Sequence, residues 1–135
     1  MTDTVRSVEQ CGCTILVVED EAMIRMMLVD ELEDAGFSVI EAENADAAMA
    51  SLNSDLNISA VVTDVRMPGS IDGFGLAMWM REHRPSMPII ITSGFSTPPD
   101  IASINPLVAR IVGKPYRPQD VARCLNDMVA QREIR

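Results

Sequence analysis

Aromatic residues and lysine are scarce in this sequence. Only 4% of its 135 residues are aromatic, and Lys114 is its one lysine. Few aromatic rings leave few platforms on which nucleic-acid bases could stack. The formal net charge of −9 argues against binding to nucleic acids and anionic membranes, because both are themselves negatively charged. We therefore expect no nucleic-acid partner and no membrane partner.

Cysteines and long apolar runs are also limited. The three cysteines, Cys11, Cys13 and Cys124, are an odd number and form neither a disulfide framework nor a zinc-binding pattern. No apolar run approaches the roughly 20 residues of a membrane-spanning helix. Residues 1–10 are polar and lack the apolar centre of a signal peptide. These features favour a reducing, cytoplasmic location.

The length of 135 residues is that of one domain. Residues 1–13 show no periodicity and are expected to form a flexible N-terminal arm. Residues 14–131 are expected to form the folded domain, and residues 132–135 a short C-terminal tail. The sequence continues no further after its last predicted helix, so we expect no DNA-binding or enzymatic output domain.

Short apolar runs alternate with segments of helical periodicity. The apolar runs predict strands at residues 14–18, 37–40, 59–63, 88–92 and 109–113. Helices are predicted at residues 22–34, 45–52, 74–84 and 118–131, with a short additional one opened by Thr97 and Pro98. Strands that are apolar throughout need cover on both faces. The pattern therefore predicts an α/β fold, with a parallel sheet between two layers of helices.

Polar residues follow the strands at the edge where parallel α/β sheets bind ligands. They are Glu19 and Asp20 after the first strand, Asp64 after the third, Thr92 and Ser93 at the end of the fourth, and Lys114 after the fifth. Carboxylate oxygens select a hard cation, Mg²⁺ or Mn²⁺. A lysine beside that cation would neutralise a phosphoryl group, and a threonine hydroxyl could donate to one. The pattern predicts a carboxylate nucleophile that carries a phosphoryl group.

Four motifs in this order resemble those of the receiver domain of bacterial two-component response regulators. They are Ile-Leu-Val-Val-Glu19-Asp20-Glu21, Thr-Asp64-Val-Arg-Met-Pro68-Gly, Ile-Thr92-Ser-Gly and Gly-Lys114-Pro115. The resemblance covers residues 14–128. It implies a flavodoxin-like (βα)5 fold, a three-layer sandwich whose five-stranded parallel sheet has the order 2-1-3-4-5.

The resemblance also implies roles for individual residues. Asp64 matches the phosphoacceptor, which takes its phosphoryl group from a sensor histidine kinase or a histidine phosphotransfer protein. Asp20 and Glu19 match the acidic pair that holds Mg²⁺ together with Asp64, and the backbone carbonyl of Arg66 matches a further ligand. Lys114 matches the lysine that pairs with the phosphate. Thr92 matches the switch hydroxyl, and the Lys114–Pro115 peptide bond is expected to be cis.

The sequence departs from the common receiver pattern at the switch. Receivers usually carry an aromatic residue three positions before the lysine, where this chain has Ile111. Ser93 and Tyr116 complete the residues expected at the switch or at an interface. The stretch from Thr92 to Phe95 and the proline-opened fourth helix resemble stand-alone, single-domain receivers of alphaproteobacteria. Those receivers are proposed to signal by reordering that helix.

A downstream protein partner is expected on the face of the fourth helix, fifth strand and last helix. That face carries Arg110, Arg117 and Arg123, and the resemblance implies a monomer or a weak dimer there. The chain is expected to catalyse only its own phosphorylation and dephosphorylation, and is therefore not classed as an enzyme.

Three alternatives stay open. A phosphorelay shuttle or phosphate sink would need no conformational output, and Ile111 favours it slightly. A Mg²⁺-dependent aspartyl phosphatase would need an acid where Arg66 stands. A flavodoxin would need a hydroxyl- and glycine-rich loop in place of Glu19-Asp20-Glu21.

Overall fold

The computed structural model describes residues 13–54, 57–66, 69, 71–93 and 109–134, with the backbone alone for residues 109 and 131–134. Its elements are β1 (Thr14–Val18), α1 (Ala22–Asp34), β2 (Ser38–Ala42), α2 (Ala45–Ser54), β3 (Ile58–Asp64), α3 (Gly73–His83), β4 (Ile89–Ser93), β5 (Ala109–Gly113) and α4 (Pro118–Ile134). Each corresponds to a predicted segment, with ends that differ by a few residues. The helix predicted from Thr97 and Pro98 lies outside the described residues, as do residues 1–12 of the arm predicted for residues 1–13.

The five strands form one parallel sheet in the order β2-β1-β3-β4-β5, which confirms the predicted fold class. Asp64 at the end of β3 lies beside Thr92 of β4. Ser93, the next residue of β4, lies beside Gly113 at the end of β5. The carboxyl ends of these strands therefore meet at one edge of the sheet, which is where open α/β sheets bind ligands.

Both faces of the sheet are covered by apolar side chains. Leu16 and Val18 of β1 pack in a first core cluster with α2 and α3. The alternate residues Ile15 and Val17 pack in a second core cluster with α1 and α4. Because strand side chains alternate between the two faces, a strand covered on both sides is apolar throughout. Burial of each such aliphatic side chain contributes about 1.5–3 kcal/mol.

The helix α1 leads out of the ligand-binding edge and back towards β2. It buries Leu28 and Leu32, which lie one turn apart, against the second core cluster. After α1 ends, Gly36 adopts a φ of 100°. Glycine is favoured there because a Cβ atom is strained in this left-handed conformation. The turn lets the chain enter β2 in parallel register with β1.

Two further predictions concern the membrane and the cysteines. No helix in the described ranges combines the length and the hydropathy needed to cross a bilayer. Cys13, which is buried just before β1, takes part in a disulfide that the sequence analysis did not predict. Cys124 of α4 is a free thiol.

Candidate functional site

Asp64 ends β3, and its side chain is only 8% exposed. Its Oδ1 atom accepts two hydrogen bonds, from the Lys114 ammonium at 2.9 Å and from the Val65 backbone N–H at 2.8 Å. None of the groups in the described part of the chain donates a hydrogen bond to the other oxygen, Oδ2. Two donors thus fix the orientation of the carboxylate through one oxygen and leave the second oxygen available.

Glu19 and Asp20 follow β1 and lie beside Asp64. Glu19 is 1% exposed, and its Oε2 atom accepts a hydrogen bond from the Glu21 backbone N–H at 3.0 Å. Burial is the main cause that raises the pKa of Glu19 to about 7. The charge of Asp64 and a hydrogen bond with Asp20 act in the same direction, whereas that N–H and the charge of Lys114 act against it. Carboxylates forced together in this way repel one another unless a cation lies among them.

The three acids form the candidate metal centre that the sequence predicts. One carboxylate oxygen from each of Glu19, Asp20 and Asp64 lies within 4.8 Å of the other two. Asp20 is exposed, so this cluster opens to solvent on one side. A set of oxygen ligands that is open to water suits Mg²⁺, which keeps several water molecules when proteins bind it. The cluster could therefore hold a hard divalent cation.

Lys114 follows β5 directly and reaches across β4 to Asp64. Its backbone N–H donates to the Ser93 carbonyl at 2.8 Å, which continues the pairing of β4 and β5. The following peptide bond, Lys114–Pro115, is cis, as the resemblance implied. The side chain of Lys114 is 32% exposed. The ammonium group can therefore neutralise Asp64 and also remain within reach of an incoming anion.

Thr92 and Ser93 are buried at the end of β4. The Thr92 carbonyl accepts a hydrogen bond from the Val65 N–H at 3.2 Å, next to Asp64. The structure therefore brings both of these predicted residues to the same edge as the acids and Lys114.

Tyr116 lies two residues after Lys114, and its ring packs against the second core cluster. Its hydroxyl is buried and forms no hydrogen bond with any group that the structure describes. Burial raises the pKa of Tyr116 to about 12, and the charges of Glu19 and Asp64 contribute. The Thr92 side chain is close enough to oppose that rise, but it does not reach hydrogen-bond geometry. The phenol therefore faces the acidic site.

Ile111 and Arg66 are the remaining residues that the sequence analysis assigned to the site. Ile111 pairs with Ile91 in the sheet and packs, partly buried, against the first core cluster. Arg66 is exposed, two residues after Asp64. The suggestion that its backbone carbonyl is a metal ligand stays a prediction.

Arg25 of α1 supports the site and was missed by the sequence analysis. Its Nη1 atom donates to the Glu19 backbone carbonyl at 2.7 Å, and its Nε atom donates to Glu41 Oε1 at 3.0 Å. The side chain is 14% exposed, so this guanidinium is largely buried between the end of β1 and β2. The only sign of this role in the sequence is that Arg25 is an isolated arginine in an acidic stretch. An isolated arginine is also typical of a solvent-exposed helix, so the sequence did not predict the role.

The receiver-like motifs therefore converge in space as well as in sequence. The family model for the response regulator receiver domain matches residues 15–126 of the chain. The chain belongs to this family. As a receiver domain, it takes part in two-component signalling. Receiver domains of response regulators typically interact with histidine kinases.

Several relatives of this receiver domain are similar over most of its length. The response regulator receiver protein CpdR from Brucella abortus is 32% identical over 118 residues, which cover 85% of this chain and 95% of CpdR. A crystal structure of a response regulator receiver protein from Sinorhizobium medicae WSM419 superposes with a TM-score of 0.78 and 31% identity. That comparison covers 88% of this chain and 95% of the other.

Other relatives are much longer than this chain. A putative NtrX-like response regulator from Rickettsia conorii is 40% identical over 84 residues. The match covers 62% of this chain and 18% of that protein, so the chain spans less than a fifth of this relative. The likeness is therefore confined to a small part of the longer protein.

The basic face of this receiver is partly neutralised by its own acid. Arg117 and Arg123 both pair with Asp120, at 3.3 and 3.8 Å. The hydrogen bond from Arg117 lowers the pKa of Asp120. Arg110 lies close to Cys124, with its Nη1 atom 3.8 Å from the thiol sulfur. The fourth-helix part of the predicted partner surface lies outside the described residues.

Proposed function

We propose that Asp64 accepts a phosphoryl group in a Mg²⁺-dependent reaction and that the phosphorylated chain signals through altered protein–protein binding. The observation that carries this proposal is the surrounding of the Asp64 carboxylate. Lys114 lies 2.9 Å from one oxygen of that carboxylate, and one oxygen from each of Glu19 and Asp20 lies within 4.8 Å of it. A lone buried carboxylate that only paired with lysine would not need the other two acids.

The transfer is a displacement at phosphorus. The free Oδ2 atom of Asp64 attacks the phosphorus of a phosphohistidine, a P–O bond forms, and the P–N bond breaks. The imidazole nitrogen leaves with the electron pair and is protonated by solvent. Lys114 stays beside Asp64 and stabilises the charge on the equatorial phosphoryl oxygens. Hydrolysis by water later restores the carboxylate and releases inorganic phosphate.

The acidic cluster fits a magnesium ion. Glu19, Asp20 and Asp64 would hold it, with the Arg66 carbonyl as a further ligand, and Glu19 would act through water. When bound, Mg²⁺ supplies positive charge that offsets both the crowded carboxylates and the incoming phosphoryl oxygens. Burial is the main cause of the raised pKa of Glu19, and repulsion from the charge of Asp64 adds to it. A cation among the three acids would offset that repulsion.

The phosphoryl donor is a sensor histidine kinase or a histidine phosphotransfer protein in the cytoplasm. A donor protein must cover the surface around Asp64, and α1 presents three methionines there, of which Met23 is 77%, Met26 59% and Met27 56% exposed. Met27 also lines a cavity of about 470 Å³ that extends to Lys114. Flexible methionine side chains adapt to apolar partners, which supports docking of a helical donor on this side.

The chain is not proposed to act on external substrates. A Mg²⁺-dependent aspartyl phosphatase would place a second acid two residues after its nucleophile, and this chain has the exposed Arg66 at that position. Its chemistry is then limited to gaining and losing its own phosphoryl group. A phosphorelay shuttle or phosphate sink would use the same steps without a conformational output.

Intact-mass spectrometry after incubation with phosphoramidate tests the proposal. We expect one phosphoryl adduct with Mg²⁺ and none with a chelator. Asp64→Asn should abolish the adduct, whereas Asp46→Asn on the exposed start of α2 should keep it. An adduct that survives Asp64→Asn, or a wild-type protein that forms none with Mg²⁺ bound, would contradict the proposal.

A further inference from the structure

The Tyr116 hydroxyl is the one buried side-chain polar group of the described residues that lacks a hydrogen-bond partner. Buried hydroxyl groups nearly always have a partner, because leaving one unsatisfied is unfavourable. The groups around this hydroxyl are Thr92, Glu19 and Asp64, all of which belong to the candidate site. The missing bond therefore suggests that the Tyr116 hydroxyl gains a hydrogen-bond partner when the candidate site changes state.

Alternation along the strands places Thr92 on the same side of the sheet as Tyr116. Ile90 packs in the second core cluster, and Thr92, two residues later, shares its side of the strand. Tyr116 packs against the same cluster. Ile111, at the position of the usual aromatic switch, packs against the opposite cluster. The aromatic side chain that can respond to Thr92 in this chain is therefore Tyr116.

We propose that Tyr116 and Thr92 form a two-hydroxyl relay that reads the phosphoryl group on Asp64. In the phosphorylated protein, the Thr92 hydroxyl donates its proton in a hydrogen bond to a phosphoryl oxygen, and the Tyr116 hydroxyl donates to Thr92 Oγ1. In the unphosphorylated protein, the second bond is absent. Tyr116 thus acts as a positioning residue, and the relay rests on the phosphoacceptor function proposed above.

The hydrogen-bonding capacity of the two side chains fits this arrangement. A threonine hydroxyl has one proton to donate and two lone pairs that can accept. Once its proton is directed at a phosphoryl oxygen, a lone pair is left for the phenol. Donation to an anion also polarises the threonine hydroxyl, which strengthens the bond it accepts. Phosphorylation would therefore satisfy the buried phenol and favour one position of its ring.

Movement of the ring would be transmitted to the surface next to α1. Tyr116 lines the cavity of about 470 Å³ together with Ile24, Met27 and Leu28. A change in the Tyr116 ring therefore changes the shape of that cavity, which gives the phosphorylated and unphosphorylated forms different surfaces. A partner can respond to phosphorylation only if it binds two such forms with different affinity.

The single tyrosine of the chain allows a direct test. Tyrosine labelled with ¹³C at Cζ gives one side-chain NMR resonance, which reports on the hydroxyl of Tyr116. Beryllofluoride with Mg²⁺ stands in for the phosphoryl group on Asp64. We expect beryllofluoride to shift this resonance clearly more in the wild-type protein than in Thr92→Val, where only the change of charge at Asp64 can act on it. An equal shift in both proteins, or no shift in the wild type, would overturn the relay.

The same samples separate failure of the relay from failure of the proposed function. The ¹⁹F NMR signal of bound beryllofluoride should appear with Mg²⁺ and disappear in Asp64→Asn. If it appears while the tyrosine resonance stays unmoved, the relay is wrong and the phosphoacceptor function stands. If no bound signal forms in the wild type, both are overturned.

Affinity for beryllofluoride provides a second test with a defined magnitude. Tyr116→Phe removes the hydroxyl and keeps the ring, and we expect it to weaken binding by about two- to tenfold, the value of one hydrogen bond. Thr92→Val and the double variant should bind equally, because either change breaks the relay. A Tyr116→Phe effect that persists in the Thr92→Val background would contradict the relay.

The stability of the unliganded protein is the control for packing. The Tyr116→Phe protein should be at least as stable as the wild type, which would exclude a general loss of packing.

Discussion

At the scale of single residues, the site combines groups that the sequence identifies with groups that only the fold reveals. Asp64, Glu19 and Lys114 stand directly after apolar strands, so parallel pairing is enough to bring them together. Arg25 and the hydroxyl of Tyr116 carry no such signal, because their contacts depend on how α1 and the segment after β5 pack against the sheet. Sequence reasoning therefore found the charged centre and named Tyr116 as a residue at the switch or an interface, but it missed Arg25 and the contacts of the phenol.

The raised pKa of Glu19 predicts a pH dependence of stability in the metal-free protein. Its pKa of about 7 in the fold lies above the ordinary value of 4.5, so the folded state binds more protons between those two pH values. The Glu19 contribution to the free energy of unfolding should therefore fall as pH rises from 4.5 to 7, by at most about 1.4 kcal/mol per pH unit. Above pH 7 it should level off.

Urea denaturation across this pH range checks the expectation. The difference in unfolding free energy between wild type and Glu19→Gln isolates the carboxyl from other titrating groups. Saturating Mg²⁺ should reduce the slope, because a cation favours the ionised carboxylate. The unfolding free energy of the wild type minus that of Glu19→Gln should fall between pH 4.5 and 7. If this quantity rises instead, the effect of burial on Glu19 has been given the wrong sign.

Arg25 is expected to control metal affinity through the backbone of Glu19. Arg25→Lys keeps the charge, but a single ammonium cannot reach both the Glu19 carbonyl and Glu41. We expect Mg²⁺ to bind about tenfold more weakly, as is typical when a group that orients a metal ligand is lost. Isothermal titration calorimetry would measure this affinity.

Arg84→Lys is the matched control for Arg25→Lys. Arg84 also donates to backbone carbonyls, those of Leu52 and His83, at a distance from the acidic cluster. The Arg84→Lys substitution should change the free energy of unfolding without changing the affinity for Mg²⁺. Equal Mg²⁺ affinities for Arg25→Lys and the wild type would show that Arg25 serves the fold alone.

At the scale of elements, the connection from β3 to α3 sets the position of Asp64. Asp72 caps α3 through a hydrogen bond from the Gly75 N–H at 2.8 Å. The Gly73 N–H donates to the Val65 carbonyl at 2.8 Å, which returns the helix start to the strand end. A Cβ atom at Gly73 would overlap the Asp64 carbonyl oxygen and lie 2.9 Å from its carbonyl carbon. The residue at this position therefore has to be glycine.

Gly73→Ala should destabilise the protein by about 1–3 kcal/mol and reduce phosphoryl adduct formation, because the backbone of Asp64 would have to shift. Gly113→Ala at the end of β5 is the control, since a Cβ atom there meets nothing within 4 Å. It should change stability by no more than about 0.5 kcal/mol. Thermal or urea denaturation measures both, and equal effects of the two substitutions would refute the steric argument.

Element positions were predictable where one periodicity dominated. The strands β1, β3 and β4 have continuous apolar cores, which predicted strands covered on both faces and therefore a parallel sheet. The sheet order came from family resemblance, because apolar runs alone do not distinguish one parallel order from another. The Gly36 turn was also readable, since glycine after a helix end is the usual sign of a left-handed residue. The close approach at Gly73 was not, because it depends on tertiary contact.

At the scale of the whole molecule, the fold concentrates negative charge at one edge of the sheet, with apolar surface on the side of α1. Asp64, Glu19 and Asp20 share that edge, Lys114 offsets part of their charge, and exposed methionines of α1 border it. This arrangement suits a reaction in which a protein partner delivers an anion to a cation-loaded site. The central claim is that the phosphoryl group becomes covalently attached to Asp64.

Borohydride trapping followed by peptide mass mapping tests this claim most directly. Borohydride reduces an acyl phosphate to an alcohol, so a phosphorylated aspartate is marked permanently at its position in the chain. After reaction with phosphoramidate and Mg²⁺, we predict the reduced residue at position 64 and at no other acid. Reduction at Asp20 or Glu19, or an adduct located on His83, would contradict the account.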